Sequence, residues 1–196
     1  SRGLGDVYKR QDLMSLGVHR LWKDALIDWL NPQKKQTLLD VAGGTGDITN
    51  RFKKRGGGRA IVCDINQQML VNGQKKFSDS IPMKDTIWIC GDAEKLPIED
   101  KSVDVYTIAF GLRNVTNIQV ALEESQRVLR PGGRFLCLEF SDFSIQVLKP
   151  LYEAYSFKVI PQIGNVIAND KESYEYLVES IRKFPDQNQL IYRMRE

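Results

Sequence analysis

Two kinds of hydrophobic pattern alternate along this chain. Short apolar runs predict β-strands, and stretches with apolar residues at helical spacing predict α-helices. The predicted strands lie at about 37–42, 60–63, 86–90, 103–110 and 135–140. The predicted helices lie at about 12–30, 47–55, 66–77, 117–129, 145–158, 171–183 and 187–195. Because strands and helices alternate up to residue 140 and the strands are apolar along their length, the pattern predicts an α/β fold with a parallel, doubly wound sheet and helices on both faces.

Proline and glycine residues stand where these elements are predicted to end. Asn31-Pro32 ends the first helix, because proline lacks the N–H group that a helix needs. Gly56-Gly57-Gly58 ends the second helix. Pro131-Gly132-Gly133 is predicted to form a tight turn into the fifth strand.

The stretch from Thr37 to Asp47 has the strand–loop–helix pattern of a nucleotide site. Thr49 replaces the third glycine of a dinucleotide fingerprint, and no Gly-Lys-Ser/Thr follows, so the phosphates of NAD or ATP are not expected here. Asp47 stands where the next helix begins, and there it would repel a pyrophosphate but tolerate a cation. S-adenosylmethionine (SAM) carries a sulfonium and an ammonium and no phosphate. The loop therefore favours SAM, and an ordinary tight turn is the alternative.

Two further carboxylates follow the second and third predicted strands. Asp64 stands where a carboxylate can bind two ribose hydroxyls, and the alternative role of capping the helix that begins near Asn66 does not exclude this one. Asp92, in Gly91-Asp92-Ala93, can accept a hydrogen bond from an adenine amino group, or can belong to a simple turn. Because the carboxyl ends of parallel strands face one crevice, these residues and the glycine loop together indicate one ligand site.

Composition narrows the functional classes. The chain has 196 residues, is 42% hydrophobic and 27% charged, and carries a net charge of +3, which is too small to suggest nucleic-acid binding. Cys63, Cys90 and Cys137 lie in apolar runs without CxxC spacing, which predicts buried, reduced thiols in an intracellular protein. No apolar run approaches the roughly 20 residues of a membrane span. No signal-peptide pattern and no metal site are predicted.

Distinctive motifs occur in a fixed order from residue 12 to the end of the chain. They are Asp12–Lys23, Val41–Ile48, Phe110–Val115, Arg127–Gly133, Leu138–Ser141, Ala168–Leu177 and Phe184–Gln187. In these motifs the chain resembles the UbiE/COQ5 family of quinone C-methyltransferases, a group within the class I SAM-dependent methyltransferases. The His-Arg-x-Trp-Lys, Phe-Gly-Leu-Arg-Asn and Ala-Asn-Asp stretches are the most specific parts of the resemblance.

The resemblance implies a Rossmann-like class I methyltransferase fold with SAM as the methyl donor. The acceptor that it implies is a ring carbon of a polyprenylated benzoquinol or of demethylmenaquinol, in ubiquinone or menaquinone biosynthesis. A methyltransferase of the same fold that acts on another small molecule is one alternative. A catalytically silent subunit that binds quinone precursors or scaffolds a biosynthetic complex is the other.

The resemblance also implies which residues serve the reaction. SAM contacts are expected at Gly43, Gly44, Thr45, Gly46, Asp64, Asp92 and Ala93. Arg113-Asn114 follows the fourth strand, where Arg113 could stabilise a developing phenolate and orient a water. His19 titrates in a useful range for a base, although a lone histidine is also typical of a packed structural residue. The further acid–base candidates are Glu139 and Asp142.

Apolar residues between 148 and 167 follow the predicted sheet and could line a groove for an isoprenoid chain. Ordinary helix packing explains them equally well. A lipophilic substrate implies peripheral contact with the inner membrane, from the cytoplasm or, in a eukaryote, from the mitochondrial matrix. A quinone-biosynthesis complex and a homodimer are the candidate assemblies.

Both ends of the chain depart from the family pattern. Residues 1–11 lack the family's tyrosine-containing lead-in and are expected to be non-native or disordered, so one methyltransferase domain is expected to span residues 12–196. The family continues past Glu196 with a glycine turn and two antiparallel strands. The chain is therefore expected to be a fragment that is less stable and less active than a longer protein.

Overall fold

The computed structural model of the chain describes residues 19–140, 176 and 179–195. The described strands are β1 Thr37–Val41, β2 Arg59–Asp64, β3 Thr86–Cys90, β4 Val103–Ala109 and β5 Leu129–Leu138. The described helices are α1 His19–Leu30, α2 Asp47–Lys54, α3 Gln67–Lys76, α4 Ile118–Val128 and α5 Gln187–Arg193, with 3₁₀ helices at Ile81–Met83 and Leu112–Asn114. The helices predicted between residues 47 and 129 thus lie within one residue of their expected bounds. The predictions for residues 12–18 and 141–175 fall outside the described residues.

The strands form one parallel sheet in the order β3-β2-β1-β4-β5. Leu38 of β1 pairs with Ala60 of β2 on one side and with Val105 of β4 on the other. The chain therefore passes from β1 outward to β3 and then crosses to the far side of β1 at β4. Ligands of doubly wound sheets bind where the strand order reverses, which here is between the ends of β1 and β4. The predicted α/β fold with a parallel sheet is confirmed.

Consecutive residues of β1 are buried, so the sheet is covered on both faces at its centre. Leu38, Leu39 and Asp40 are each at most 1% exposed, whereas a strand with one face in water would alternate. On one face, α1 and α2 pack their apolar sides against the sheet. That cluster comprises Ile27, Leu30, Leu38, Ile48, Phe52, Ala60, Val105 and Leu136. This core fixes the position of α1 and α2, which carry charged residues of the candidate site.

The fifth strand differs from its prediction. It spans Leu129–Leu138 rather than 135–140, so the predicted Pro-Gly-Gly turn lies inside the strand. Leu129 pairs with Val103, and Arg134 pairs with Val105. Between these two pairs β5 has four residues, whereas β4 has only one. The turn is therefore a bulge with paired strand on both sides.

The three cysteines lie in β2, β3 and β5 and are free thiols. Cys63 is buried, as predicted, and burial raises the pKa of its thiol to about 12. Cys90 is exposed, contrary to the prediction, because it ends β3 at an edge of the described sheet. A thiol protonated at neutral pH is a poor nucleophile, so Cys63 is not a catalytic candidate.

The chain divides into two compact units, one of residues 22–139 and one of residues 1–21 and 140–196. The first contains the sheet with α2, α3 and α4. The described part of the second includes a helical segment at 179–183 and α5, which begins with a capping box between Asp186 and Gln189. Within the described residues, no helix is both long enough and apolar enough to cross a membrane.

Candidate active site

A sharp turn joins β1 to α2 at the point where the strand order reverses. Gly46 has a φ of 76° and is the N-cap of α2, a backbone conformation that favours glycine. Its N–H donates to the Gly43 carbonyl at 2.8 Å, and its own carbonyl accepts from the Asn50 N–H at 2.9 Å. The loop is therefore held in shape by its own backbone hydrogen bonds.

The glycine loop lies against the Trp88 ring and α3. A Cβ added at Gly46 would lie 2.7 Å from Trp88 Cη2, and one added at Gly73 would lie 2.6 Å from Cζ3 of the same ring. The Cβ at Gly73 would also lie 2.9 Å from the Thr45 carbonyl oxygen. These distances are too short for real contacts, so both glycines are needed for this packing. Sequence reasoning missed Trp88 and Gly73, for which a glycine inside a predicted helix was the only signal.

Asp64, at the end of β2, contacts the loop with one carboxylate oxygen and the start of α3 with the other. Its Oδ2 accepts from the Gly44 N–H at 2.8 Å, and its Oδ1 accepts from the Asn66 N–H at 2.8 Å. The N-cap of α3 is Asn66, whose side chain accepts from the Met69 N–H at 3.3 Å. The alternative in which Asp64 caps this helix is therefore wrong. Each carboxylate oxygen accepts more than one hydrogen bond, so Asp64 keeps acceptor capacity for a ligand.

Asp92 lies in a short turn after β3. Its Oδ1 accepts from the Glu94 N–H at 2.9 Å, and its carbonyl accepts from the Lys95 N–H at 3.1 Å. The preceding residue, Gly91, donates its N–H to the Asp64 carbonyl at 3.1 Å. Asp92 is exposed, and Ala93 beside it is half-buried. The structure thus brings Asp64 and Asp92 to the same edge of the sheet, as predicted from their positions after neighbouring strands.

Asp40, near the end of β1, is a buried carboxylate whose hydrogen-bond partners are all neutral. It is 1% exposed and accepts from the Thr49 N–H at 3.2 Å, the Thr49 hydroxyl at 2.9 Å and the Thr107 hydroxyl at 2.9 Å. Burial raises the pKa of Asp40 to about 6, although the three hydrogen bonds act to lower it. A Cβ added at Gly43 would lie 3.1 Å from the Asp40 carboxyl carbon, so this carboxylate lies directly against the glycine loop.

Asp47, the first residue of α2, is paired within the chain. Its Oδ2 lies 3.1 Å from Lys23 Nζ, and its Oδ1 lies 3.3 Å from Arg51 Nε. Burial acts to raise the pKa of Asp47, but Lys23 and Arg51 outweigh burial and hold that pKa below its usual value. Sequence reasoning placed this carboxylate beside a cationic ligand, whereas the structure pairs it with two side chains. Asp40 and Asp64, by contrast, accept their described hydrogen bonds from neutral donors, which leaves their negative charge to favour a cation.

The loop after β4 carries Arg113 in the 3₁₀ helix Leu112–Asn114. The Arg113 guanidinium donates to Glu139 Oε2 at 2.7 Å and to the Phe110 carbonyl at 2.6 Å. Its backbone N–H donates to Glu139 Oε1 at 3.2 Å. The side chains of Arg113 and Glu139 are 7% and 4% exposed. Arg113 is therefore not a surface arginine but belongs to a buried ion pair.

The remaining catalytic candidates are less closely defined. Asn114 is exposed, and its N–H donates to the Gly111 carbonyl at 3.0 Å. His19 is 2% exposed and belongs to the other compact unit. Asp142 and the apolar segment at 148–167 lie outside the described residues. The roles expected of these residues stay predictions.

The charges of this site suit a cationic ligand better than a phosphate-bearing nucleotide. Asp64 and Asp92 present carboxylate oxygens at the carboxyl edge of the sheet, and Thr45 in the glycine loop is 3% exposed. Fixed negative charge near the loop favours a sulfonium or an ammonium and disfavours a pyrophosphate. Within the described part of the chain, no group of three His, Cys, Asp or Glu side chains could hold a metal ion.

Comparison with known proteins agrees with this description. The profile of the ubiE/COQ5 methyltransferase family matches residues 6–196. A ubiquinone/menaquinone biosynthesis C-methyltransferase, UbiE of Cereibacter sphaeroides, is 57% identical over 90% of this chain and 71% of its own. The mitochondrial 2-methoxy-6-polyprenyl-1,4-benzoquinol methylase of Danio rerio is 49% identical over 90% of this chain and 64% of its own. The crystal structure of a SAM-dependent methyltransferase from Aquifex aeolicus matches with a TM-score of 0.56 and 21% identity, covering 76% of this chain and 78% of the other, which shows a shared fold.

Proposed function

The chain belongs to the ubiE/COQ5 methyltransferase family, and we propose that it transfers the methyl group of SAM to a ring carbon of a polyprenylated benzoquinol or of demethylmenaquinol. It is a SAM-dependent C-methyltransferase of quinone biosynthesis. The observation that carries this proposal is the 57% identity with UbiE, which extends over 90% of the chain. The site geometry supports it because acceptors for SAM lie at the ends of successive strands.

We assign the methyl donor to the crevice at the ends of β1, β2 and β3. Asp64 would bind the ribose hydroxyls, because two backbone N–H groups already orient its carboxylate and leave it further acceptor capacity. Asp92 and Ala93 would bind the adenine through a carboxylate oxygen and a backbone N–H. The loop from Gly43 to Gly46, including Thr45, would lie along the amino-acid part of SAM.

SAM supplies an electrophilic methyl group, so the protein must make the ring carbon nucleophilic. A carbon–carbon bond forms as the carbon–sulfur bond breaks, and the ring carbon then loses its proton. A quinol becomes nucleophilic as a hydroxyl proton leaves, and the developing phenolate needs a positive group nearby. Arg113 would supply that group, oriented by Glu139. Because arginine side chains stay charged in proteins, the proton acceptor is a different group, for which Asn114 with a bound water, His19 and Asp142 are the candidates.

The protein would work at the surface of a membrane, because its polyprenyl substrate partitions into lipid. The site of action would be the inner membrane, reached from the cytoplasm or, in a eukaryote, from the mitochondrial matrix. The mitochondrial name of the Danio rerio relative agrees with the second setting. A homodimer and a complex with other quinone-biosynthesis enzymes are the assemblies that sedimentation and co-purification would test.

Methyl transfer from labelled SAM to short-chain acceptors tests the proposal. We expect label on a ring carbon of a reduced methoxy-prenyl-benzoquinol, of reduced demethylmenaquinone, or of both. The oxidised quinones should accept none, because they have no hydroxyl proton to lose. Transfer only to unrelated small molecules would favour the other methyltransferase, and SAM binding without transfer would favour the silent subunit.

A variant of Arg113 tests the acceptor side separately. Arg113→Lys keeps the positive charge but loses the planar group that faces Glu139. We expect kcat to fall while the Kd for SAM stays near that of the parent, because the lost interaction is made only as the phenolate develops. Normal turnover by this variant would remove Arg113 from the reaction.

A further inference from the structure

Lys23 of α1 contacts the end of the glycine loop and the beginning of the loop after β4. Its ammonium lies 3.1 Å from Oδ2 of Asp47, the first residue after the glycine loop. It also lies 5.7 Å from the centre of the Phe110 ring, where the loop that carries Arg113 begins. Lys23 is 5% exposed, so both contacts are shielded from water. An ammonium within about 6 Å of an aromatic face is attracted to it, and more strongly when desolvated.

The two loops also contact each other directly. A Cβ added at Gly111 would collide with the Cβ of Ala42, the residue that follows β1. A small displacement of one loop therefore has to be matched by the other, because packed atoms leave no space between them. Residues on both sides of this contact depend on each other's position.

Phe110 has a backbone conformation that its surroundings must hold. Its φ is 58°, which is unfavourable for a bulky residue and persists only where other contacts impose it. Its N–H donates to the Leu138 carbonyl at 2.7 Å, and its side chain is 4% exposed. The ammonium of Lys23 over this ring is a further contact that favours the observed conformation.

We propose that Lys23 is a positioning residue that holds the Arg113 loop in register with the glycine loop. A shift of either loop would weaken one of its two contacts. The roles of donor loop and acceptor loop rest on the proposed function, whereas the contacts of Lys23 do not depend on it. Arg51 provides the contrast, because its described partners are Asp47 and, at 2.5 Å, Asp24, and neither belongs to the loop after β4.

Hydrogen exchange in the native state tests the link without any substrate. The N–H groups of Phe110 and Asn114 report on the loop, because they donate to the carbonyls of Leu138 and Gly111. Lys23→Met keeps a long apolar stem but removes the ammonium, and we expect both amides to exchange about tenfold faster. Arg51→Gln is the matched control, because it removes the other cation from Asp47, and exchange should stay within about twofold of the parent.

Measurements of kcat distinguish a positioning role of Lys23 from simple neutralisation of the Asp47 charge. We expect Lys23→Met to lower kcat about tenfold at saturating SAM, because misplaced groups lose rate even when the ligands are bound. In Lys23→Met, Asp47 keeps only Arg51 of its two described cations. Adding Asp47→Leu removes this underpaired carboxylate, so the melting temperature of the double variant should return towards that of the parent. Its kcat and the exchange of its Phe110 amide should not recover, because the link between the loops is still missing.

Two outcomes would overturn the positioning role. One is unchanged exchange of the Phe110 and Asn114 amides in Lys23→Met. The other is recovery of kcat and exchange protection together with stability in the double variant, which would mean that Lys23 only neutralises Asp47. Failure of the parent protein to methylate any quinol would overturn the proposed function alone, since the exchange result needs no substrate.

Discussion

The two sides of the crevice differ in how their charged side chains are paired. The donor side, at Asp40 and Asp64, is where we propose that SAM binds, and the acceptor side, at Arg113 and Glu139, is where we propose that the quinol binds. On the donor side, Asp40 and Asp64 accept hydrogen bonds from hydroxyl and N–H groups that carry no formal charge. On the acceptor side, Arg113 and Glu139 form a buried ion pair. The donor side therefore keeps negative charge that a ligand can meet, whereas the two charges of the acceptor side offset each other before a substrate binds.

This difference matches the charges of the two proposed ligands. SAM is cationic from the moment it binds, so fixed carboxylates near the glycine loop stabilise its bound state. A quinol is neutral when it binds and becomes negative only as its proton leaves. A paired arginine still donates hydrogen bonds to that developing charge but attracts resident anions less than an unpaired one would. The predictions below test each side of this comparison.

The largest effect is expected from breaking the acceptor-side ion pair. Glu139→Ala leaves the buried Arg113 guanidinium without its carboxylate, which should lower the free energy of unfolding by about 3–5 kcal/mol. Denaturant unfolding measures this change. Asp100→Ala is the control, because Asp100 is 71% exposed in its pair with Arg127 and should cost less than about 1 kcal/mol. The neutral double variant Arg113→Met with Glu139→Leu should recover most of the lost stability, and an unchanged Glu139→Ala protein would contradict the ion pair.

The pH dependence of stability should reveal the unpaired carboxylate of the donor side. Burial raises the pKa of Asp40 to about 6, so the folded protein binds this proton more tightly than the unfolded chain does. Its contribution to stability therefore increases as the pH falls from 7 towards 4, by about 3 kcal/mol for a pKa difference of roughly two. The sign is opposite for Asp47 and Glu124, whose pKa values are lowered.

Comparison with Asp40→Asn isolates this contribution. The free energy of unfolding of the parent minus that of the variant should rise as the pH falls from 7 to 5. Thr107→Val keeps the carboxylate but removes one hydrogen bond that favours its charged form, so it should move the rise to higher pH. A difference that does not change between pH 5 and 7 would show that Asp40 titrates normally.

Removing Asp64 should weaken SAM binding while the fold persists. Asp64→Ala loses the carboxylate that we propose binds the ribose hydroxyls, and it also loses the hydrogen bond from the Gly44 N–H, which shapes the loop. We expect a loss of about 1.5–3 kcal/mol, or roughly 10- to 150-fold in Kd, measured by calorimetry. Asp85→Ala, an exposed carboxylate immediately before β3 at the opposite edge of the sheet, is the control for net charge and should leave Kd unchanged. Unaltered affinity in Asp64→Ala would remove this residue from the site.

The smallest expected difference is the one between alanine substitutions at two glycines of similar backbone conformation. Gly46 and Gly56 have φ values of 76° and 84°, so alanine at either position is strained by about 1–2 kcal/mol. Only at Gly46 does the new methyl group also meet Trp88, which should add about 1–3 kcal/mol and weaken SAM binding. The space around Gly56 is open, so Gly56→Ala should bind SAM normally. Equal effects of the two substitutions would mean that Trp88 does not support the loop.

The sequence predicted β1, β2 and β4 well because these strands have neighbours on both sides in the sheet and are apolar where they are buried. β3, whose residues are half-buried or exposed, was predicted from its run of isoleucine and tryptophan instead. The first half of β5 escaped the prediction for the complementary reason. Residues 130–132 are exposed and two of them are proline and glycine, so only the backbone pairing of Leu129 with Val103 shows that they belong to a strand. A pattern of hydrophobic residues cannot reveal strand pairing that buries no side chain.

For the candidate site too, the positions of some residues could be predicted from the sequence and others could not. Asp64 and Asp92 were predicted because strand ends in a parallel sheet fall at one edge, which depends on order along the chain alone. The partners of the charged residues were not predicted. Lys23 reaches Asp47 across 24 residues, and Glu139 reaches Arg113 across 26, through packing that the local pattern does not contain. Asp40 belongs to the strand–loop–helix stretch from which the ligand site was predicted, but only its burial against two threonine hydroxyls shows that its pKa is raised.

Calorimetric titration of the protein with SAM, and in parallel with ATP and NAD, tests the central claim most directly. The claim is that carboxylates with only neutral partners make the donor side selective for a cationic methyl donor. We predict saturable binding of SAM and no binding of ATP or NAD under the same conditions, because phosphates would meet the negative charge of Asp40 and Asp64. Binding of ATP or NAD with no heat from SAM would contradict the claim.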